Sequence, residues 1–310
     1  MDFYHVSVLL RECIEGLMIA QDGVYVDGTL GGGGHASQIV RNLGEKGRLI
    51  GIDRDVNALL AAAKRIDAPQ FTAVRGNFHD VKALVSGLGI AGIDGALLDL
   101  GVSSHQLDEA SRGFSYRADA PLDMRMDQTS GLCAADIVNT YPKESLTRIF
   151  RDYGEEPWAA KIAQVICDRR QDQPIQTTGQ LVEMIDRAIP KKVRAKDGSH
   201  PARRTFQALR IAVNDELAPL EDALRDFVSL LNPGGRLCVI AFHSLEDRIV
   251  KSTFRELAVP CTCPKHMPLC VCGKVPQIKL ITRKPITASE EELAENPRSR
   301  SATLRIAEKI

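Results

Sequence analysis

Long apolar runs are missing from this chain. None reaches the roughly 18 consecutive apolar residues that a membrane-crossing helix needs, so no such helix is expected. The first residues, Met1-Asp2-Phe3-Tyr4-His5, carry no basic segment followed by an apolar block and do not read as a secretory signal. Net charge is also missing, because 40 Lys and Arg balance 40 Asp and Glu. No global field draws the protein onto nucleic acid, and any basic contact surface has to be local. Internal repeats and low-complexity segments are absent. The eight cysteines come without an export signal, which points to reduced thiols or metal ligands rather than disulfides, and to the cytoplasm. A hydrophobic content of 44% is enough for a real core. At 310 residues the chain is long for one simple domain and suits one domain with an insertion.

The most informative stretch is Val24-Tyr25-Val26-Asp27-Gly28-Thr29-Leu30-Gly31-Gly32-Gly33-Gly34-His35. It starts as a strand, breaks into glycines and runs into a helix. Such a turn presents bare backbone N–H groups at a helix start, and no Cβ keeps a ligand from the main chain. Twenty residues past Gly33, Asp53 ends a second apolar run, placed to accept hydrogen bonds from the two ribose hydroxyls of an adenosine. Gly31, Gly33 and Ala36 fit G-x-G-x-x-G/A, so a nicotinamide or flavin dinucleotide is one reading. Asp27 would repel a pyrophosphate but could bind a ligand ammonium group, and four glycines leave the loop wide. An adenosine joined to an amino acid fits better, which suggests S-adenosylmethionine. A turn without a ligand is the bland alternative.

The chain then alternates strand and helix. His5 to Leu17 leads into a helix with apolar residues at helical spacing; Val56 to Ile66 and Val81 to Leu88 are further helices. Strands are expected at Thr72–Gly76 and Ile93–Gly101, giving a parallel sheet with helices on both faces. Phe78 falls at a strand exit, where it either lies against an adenine or packs into the core. Asp99 is an acid at the end of the strand expected beside the first, either functional or a turn aspartate. From Leu107 the alternation stops and helices dominate: Ala134–Asn139, Lys143–Tyr153, Pro157–Arg170 and Thr178–Ala188, the last capped by Thr177 or Thr178. From Arg187 to Arg210 there are eight basic residues (Arg187, Lys191, Lys192, Arg194, Lys196, Arg203, Arg204, Arg210) against the single acid Asp197. The part from Lys191 to Pro201 reads as an exposed loop suited to phosphates or simply to solvent. Asn214 to Leu231 reads as one periodic helix stopped by Asn232-Pro233-Gly234-Gly235, with a strand at Arg236–His243 and then a helix that Ser244 to Arg248 opens and Ile249 to Leu257 continues. His243 is either a group supporting catalysis or an ordinary hydrogen-bonding histidine. Gln277–Lys284 and Ala302–Ala307 are expected as a final edge hairpin, with an acidic, helix-like stretch from Ser289 to Ala294 and a basic turn from Asn296 to Ser301 between them. The expected domains are 1–106 and 214–310 as two parts of one α/β domain, with 107–213 as a helical insertion.

Cys261-x-Cys263 and Cys270-x-Cys272 could ligate Zn²⁺ through four thiolates or form a loop of thiols. A four-thiolate site would leave no open position for catalysis, and no metal ligand is assigned.

Several stretches together resemble one family. They are His5-Val-Ser-Val-Leu-Leu10, Asp27 to His35, Leu98-Asp-Leu-Gly-Val-Ser-Ser104, Arg112-Gly-Phe-Ser-Tyr116, Pro121-Leu-Asp-Met-Arg-Met-Asp127, Tyr153-Gly-Glu-Glu156, His200 to Ile211, Phe242-His-Ser-Leu-Glu-Asp-Arg248 and Asn296 to Ala302. They are similar to the bacterial ribosomal RNA small subunit methyltransferase H family, also called MraW, over nearly the full length. The resemblance implies a class I (Rossmann-like) α/β methyltransferase fold with a doubly wound, mostly parallel sheet and a helical insertion. It implies S-adenosylmethionine-dependent methylation at N4 of a cytidine in 16S rRNA near the decoding centre. The family's cofactor contacts carry over onto Gly33, Gly34, His35, Asp53, Phe78, Asp99 and Gln106.

An exocyclic cytosine amine is a weak nucleophile, because its lone pair is delocalised into the ring. It has to be held at attack distance, with an acceptor for one of its hydrogens. Amino-methylating enzymes often place Asp/Asn/Ser-Pro-Pro-aromatic after the fourth strand. Here that place holds Asp99-Leu-Gly-Val-Ser-Ser104, so Asp99 is the expected catalytic residue, with Ser103 or Ser104 as further acceptors. RNA contacts are expected in the insertion. A nicotinamide-dependent oxidoreductase and a non-catalytic ribosome-assembly factor are the competing classes. Both a monomer and a homodimer fit the sequence.

Overall fold

The computed structural model describes residues 7–129, 131–194, 200–264 and 271–310. His5, Lys196, Asp197 and Cys270 lie outside the described residues. The chain divides into two compact units, residues 1–101 with 217–310, and residues 102–216; the boundaries expected from sequence were 106/107 and 213/214.

The first unit is a seven-stranded sheet in the order β3-β2-β1-β4-β5-β7-β6. Its strands are β1 (Val24–Asp27), β2 (Arg48–Asp53), β3 (Phe71–Arg75), β4 (Ile93–Asp99), β5 (Leu231–Ala241), β6 (Ile278–Leu280) and β7 (Thr303–Lys309). The first five are parallel, and β7 runs antiparallel to both β5 and β6. Its helices are α1 (Leu10–Leu17), α2 (Gly34–Asn42), α3 (Val56–Arg65), α4 (Val81–Gly87), α12 (Leu220–Leu230), α13 (Ser244–Ala258) and α14 (Glu290–Glu295). The numbers between belong to helices of the second unit, α5 (Ser104–Asp108), α6 (Ala134–Thr140), α7 (Lys143–Gly154), α8 (Ala159–Asp172), α9 (Thr178–Ala188), α10 (Lys191–Arg194) and α11 (Ala202–Asn214).

The two-residue period of the strands sorts their side chains into two cores. Along β5, Leu237 and Val239 join one core, while Cys238 and Ile240 join the other. In β4, Leu98 and Leu97 divide the same way, as do Val26 and Tyr25 in β1. Val81, Val85, Leu224, Phe227 and Phe254 from α4, α12 and α13 cover the first face. Leu9, Cys13, Leu17, Ile39 and Ala62, at or in α1, α2 and α3, cover the second. A strand covered on both faces reads as a near-continuous apolar run, which is why Ala96-Leu97-Leu98 and Val239-Ile240-Ala241 are so legible.

Around the sheet the sequence expectations differ from the structure at three places. The expected single helix from Asn214 to Leu231 is broken. Asp215 is left-handed at φ 48° and caps α11, and α12 starts only after Pro219. Proline lacks the N–H that a continuous helix would use, a constraint that apolar spacing does not register. The β5 strand begins at Leu231, not Arg236. Leu231 pairs with Ile93, Asn232 Nδ2 donates to Asp94 Oδ1 at 2.8 Å, and the Pro-Gly-Gly run becomes an irregularity within the strand. The last two strands do pair, with α14 and a 3₁₀ turn between them where the sequence suggests a helix and a turn, but they are not an edge hairpin: β7 sits inside the sheet, and of the two only β6 is at an edge.

The second unit is helical. Among its described residues the only β feature is an isolated bridge between Pro121 and Thr177. Phe150, Ile162, Ile166, Leu181, Ile185, Phe206 and Leu209 form its core. Thr177 caps α9 with a reciprocal Thr177–Gln180 box. Helix α11 was not expected; Ala202, Thr205, Phe206, Ala208 and Leu209 bury one side of it. The Arg-Gly-Phe-Ser-Tyr and Pro-Leu-Asp-Met-Arg-Met stretches are held by polar side chains acting as backbone partners. Buried Arg112 donates to the carbonyls of Arg125 and Met126, both at 2.9 Å. Asn214 accepts from the Met126 N–H and donates to the Met124 carbonyl, both at 2.8 Å.

Candidate active site

The sheet order changes direction between β2-β1 and β4-β5, and in open α/β sheets ligands bind at the carboxyl ends of strands at such a switch point. Three carboxylates end three neighbouring strands there: Asp53 on β2, Asp27 on β1 and Asp99 on β4. The register holds them together, with Asp27 opposite both Gly51 of β2 and Leu97 of β4.

The exits of β1, β2 and β3 each turn through an acid or amide that accepts an N–H two residues on. Asp27 Oδ1 accepts from Thr29 at 3.1 Å, Asp53 Oδ1 from Asp55 at 2.8 Å and Asn77 Oδ1 from His79 at 3.3 Å. Asp53 also ties down the glycine turn, because its Oδ2 accepts the Gly31 N–H at 2.8 Å. A carboxylate has about four lone-pair positions, so two remain for ribose hydroxyls. Gly31 and Gly33 take φ 50° and 74°, and Gly33 is the N-cap of α2. A Cβ on Gly32 would meet nothing within 4 Å, one on Gly33 would press on Ala62 at 3.1 Å, and one on Gly34 would run into the Ser7 hydroxyl. The backbone therefore lies open at Gly32 and is closely backed at Gly33 and Gly34.

Asp27 is buried at 1% exposure, and burial pushes its carboxyl up to about 7, against the lowering effect of the Thr29 N–H. Asp99 is pushed up to about 8, first by burial and then by the charges of Asp27 and Glu246. Burial also raises Asp53, though its backbone hydrogen bonds oppose the shift. Asp99 is held by its backbone rather than its carboxyl: its N–H donates to Thr29 Oγ1 at 2.6 Å, and its Oδ1 is buried without a hydrogen-bond partner among the described residues. A buried polar atom of this kind is costly unless something pairs with it. A ligand cation would lower all three acids and a pyrophosphate would raise them further, so the geometry favours a positively charged nucleoside over a dinucleotide.

The other expected site residues fall as follows. His35 is buried at the start of α2, with Nε2 2.9 Å from the Val8 carbonyl and Nδ1 3.7 Å from Asp99 Oδ2. The Val8 contact sets the tautomer with hydrogen on Nε2. Phe78 opens a 3₁₀ turn, half-buried, with its Cβ at the mouth of the Gly28 position. Its ring meets His79 edge-on at 4.2 Å, and burial beside Arg54 lowers His79 to about 4. Gln106 belongs to the second unit, where it is buried as the third residue of a capping box with Ser103; the Ser103 hydroxyl accepts the Gln106 N–H at 3.3 Å. His243 is the N-cap of α13, its Nδ1 accepting the Glu246 N–H at 3.3 Å, so its geometry is that of a helix cap.

Two residues near the acids were missed. Thr29 bridges β1 and β4 through Asp99, and buried Glu246 caps α13 while adding negative charge at Asp99. An Asp-x-Thr at a strand exit was the available signal for the first; nothing local signalled the second.

The basic run is weaker than its count. Arg194 pairs with Asp186 and Arg210 with Glu216, each at 2.8 Å, and Arg187 pairs with Glu183. Lys191, Lys192 and Arg203 are exposed.

Residues 2–310 match the model of the MraW methylase family. The chain is 56% identical over 312 residues to a protein of Clostridioides difficile called ribosomal RNA small subunit methyltransferase H, with both chains covered in full. It is 55% identical over 314 residues to the protein of that name from Ruminiclostridium cellulolyticum, again covering all of both. A third, from Symbiobacterium thermophilum, is 56% identical, covering all of this chain and 98% of its own.

Proposed function

From the premise that this chain belongs to the MraW methylase family, we propose that it transfers a methyl group from S-adenosylmethionine to N4 of a cytidine in 16S rRNA of the small ribosomal subunit, near the decoding centre. The observation that carries the reading is the row of acids at the ends of β2, β1 and β4, with one oxygen of Asp99 buried and without a hydrogen-bond partner among the described residues. Neither an oxidoreductase nor an assembly factor without turnover accounts for that row together with the family match.

S-adenosylmethionine supplies an electrophilic methyl on a positive sulfur. The chain's residues provide the rest. Asp53 accepts from the ribose, and Phe78 offers a face to the adenine. Gly33 and Gly34, at a turn whose backbone lies open at Gly32, would meet the amino-acid moiety, with His35 and Gln106 as the remaining contacts carried over from the family. Asp27 and Asp99 supply negative charge toward the ligand's cationic groups. Transfer of that methyl to the N4 lone pair would release the sulfur as a neutral thioether and leave one N4 proton to be removed. Asp99, as carboxylate, accepts a hydrogen bond from the amine, localises its lone pair and takes that proton. A carboxyl raised to about 8 can hold a proton that an ordinary aspartate would release. The target base has to leave any stack to reach such a pocket, at a cost of a few kcal/mol when paired. RNA contacts are assigned to the second unit, through Lys191, Lys192 and Arg203. The protein works in the cytoplasm, and among the described residues no helix is long and apolar enough to cross a membrane.

The test is methyl transfer from labelled S-adenosylmethionine to small subunits isolated from cells lacking this protein, alongside hydride transfer from NADH to a panel of carbonyl substrates. Label in 16S rRNA with no NADH oxidation is expected. Unlabelled subunits would overturn the reading.

A further inference from the structure

We propose that Cys261, Cys263 and Cys272 form a structural zinc site that staples the connection between α13 and β6. Their three Sγ atoms all lie within 4.8 Å of one another, and the Cys272 and Cys261 sulfurs are 3.9 Å apart. Tetrahedral zinc with Zn–S bonds of about 2.3 Å requires sulfur–sulfur edges of roughly 3.8 Å. A disulfide would bring two sulfurs to about 2.05 Å and leave the third outside the bond. A three-way cluster is what a metal gathers.

The connection itself supplies the second argument. It runs from Val259 to Gln277, and its ends are pinned where the Gln277 N–H donates to the Leu257 carbonyl at 2.9 Å and the Ile310 N–H to the Gln277 carbonyl at 3.0 Å. Between those pins, the described residues include no buried side chain; Val259, Val271 and Val275 are 68%, 73% and 73% exposed. Among the described residues from Val259 to Gln277, only Pro260, Cys263 and Cys272 are even partly covered. An excursion of this length, with no buried side chain among its described residues, gains from a cross-link that holds one conformation. Three converging thiols provide it, and soft thiolates in tetrahedral array select zinc over harder divalent ions. On binding, each coordinating thiol gives its proton to solvent and its sulfur lone pair to the metal, with no change of oxidation state. The site lies in a loop apart from the acids at the strand ends and supplies nothing to methyl transfer.

The experiment uses the full chain purified under reducing conditions and dialysed against metal-free buffer. Zinc is counted by mass spectrometry, and cobalt replacement is followed by its sulfur-to-metal charge-transfer absorption. About one zinc per chain is expected, falling at least about tenfold in Cys261→Ser and Cys272→Ser and unchanged in Cys167→Ser, which alters a thiol of the second unit. Chelation of the wild type should increase protease cleavage between 259 and 277 severalfold. A wild type without zinc or a cobalt–thiolate band overturns the proposal, as does zinc retained in the Cys261→Ser/Cys272→Ser double variant.

Discussion

If Asp99 meets a cationic cofactor as a carboxylate, cofactor affinity must depend steeply on pH. Its carboxyl is pushed up to about 8, so below that pH the ligand has to displace a proton. The sign follows from the bound state, in which the ligand's positive charge favours the ionised acid. Affinity therefore rises with pH and levels off above the unliganded value. One displaced proton costs up to about tenfold in affinity per pH unit, so a fall from about pH 8 to about pH 6 weakens binding roughly 50-fold. Asp27, pushed up to about 7, adds up to about tenfold over the same span if it also ionises. Calorimetry of S-adenosylmethionine binding in two buffers of different ionisation enthalpy measures both the affinity and the protons released. Asp99→Asn should remove most of the slope. A flat pH profile with no proton release in the wild type would refute the reasoning, as would a slope unchanged in Asp99→Asn.

Other perturbations follow from the same structure. Asp27→Asn removes a buried acid whose raised value means that stability is lost as pH rises from the unfolded value, near 4, through about 7. The variant should therefore gain on the wild type by up to about 4 kcal/mol at pH 8, and the gain should shrink toward pH 4; urea unfolding at both ends measures it. Gly33→Ala places a Cβ at φ 74° against Ala62 and should cost about 1–2 kcal/mol in the same assay, together with cofactor affinity. Lys191→Ala/Lys192→Ala should flatten the salt dependence of RNA binding by roughly 0.7 in log–log slope per lost phosphate contact, whereas Arg194→Ala, already paired with Asp186, should change it less. An equal effect from Arg194 would move the RNA contact toward that residue.

The strand ends were legible because Asp27, Asp53 and Asp99 each close an apolar run, and because four glycines can only be a turn. Both signals are local in sequence. Thr177 was legible for the same reason, since a cap and its Gln180 partner are three residues apart. What escaped depended on distance or on backbone detail. Asn232 reaches Asp94 across the sheet, and that contact turns an apparent helix stop into part of a strand. Pro219 lies inside an apolar period that suits a helix, so spacing alone ran α12 back to Asn214. Counting charge overstated the basic run, since Glu183, Asp186 and Glu216 reach in from outside the residues counted. Glu246 acts on Asp99 through space, from an element 147 residues further along the chain (246 − 99).

The most direct test is a crystal structure of the chain with S-adenosylhomocysteine, refined against data good enough to place the ribose. The expected complex has the ribose hydroxyls on Asp53, the homocysteine along Gly32 to Gly34 and the sulfur facing Asp99. A ligand seated elsewhere, or one that leaves Asp53 and Asp99 untouched, would contradict the placement of the active site.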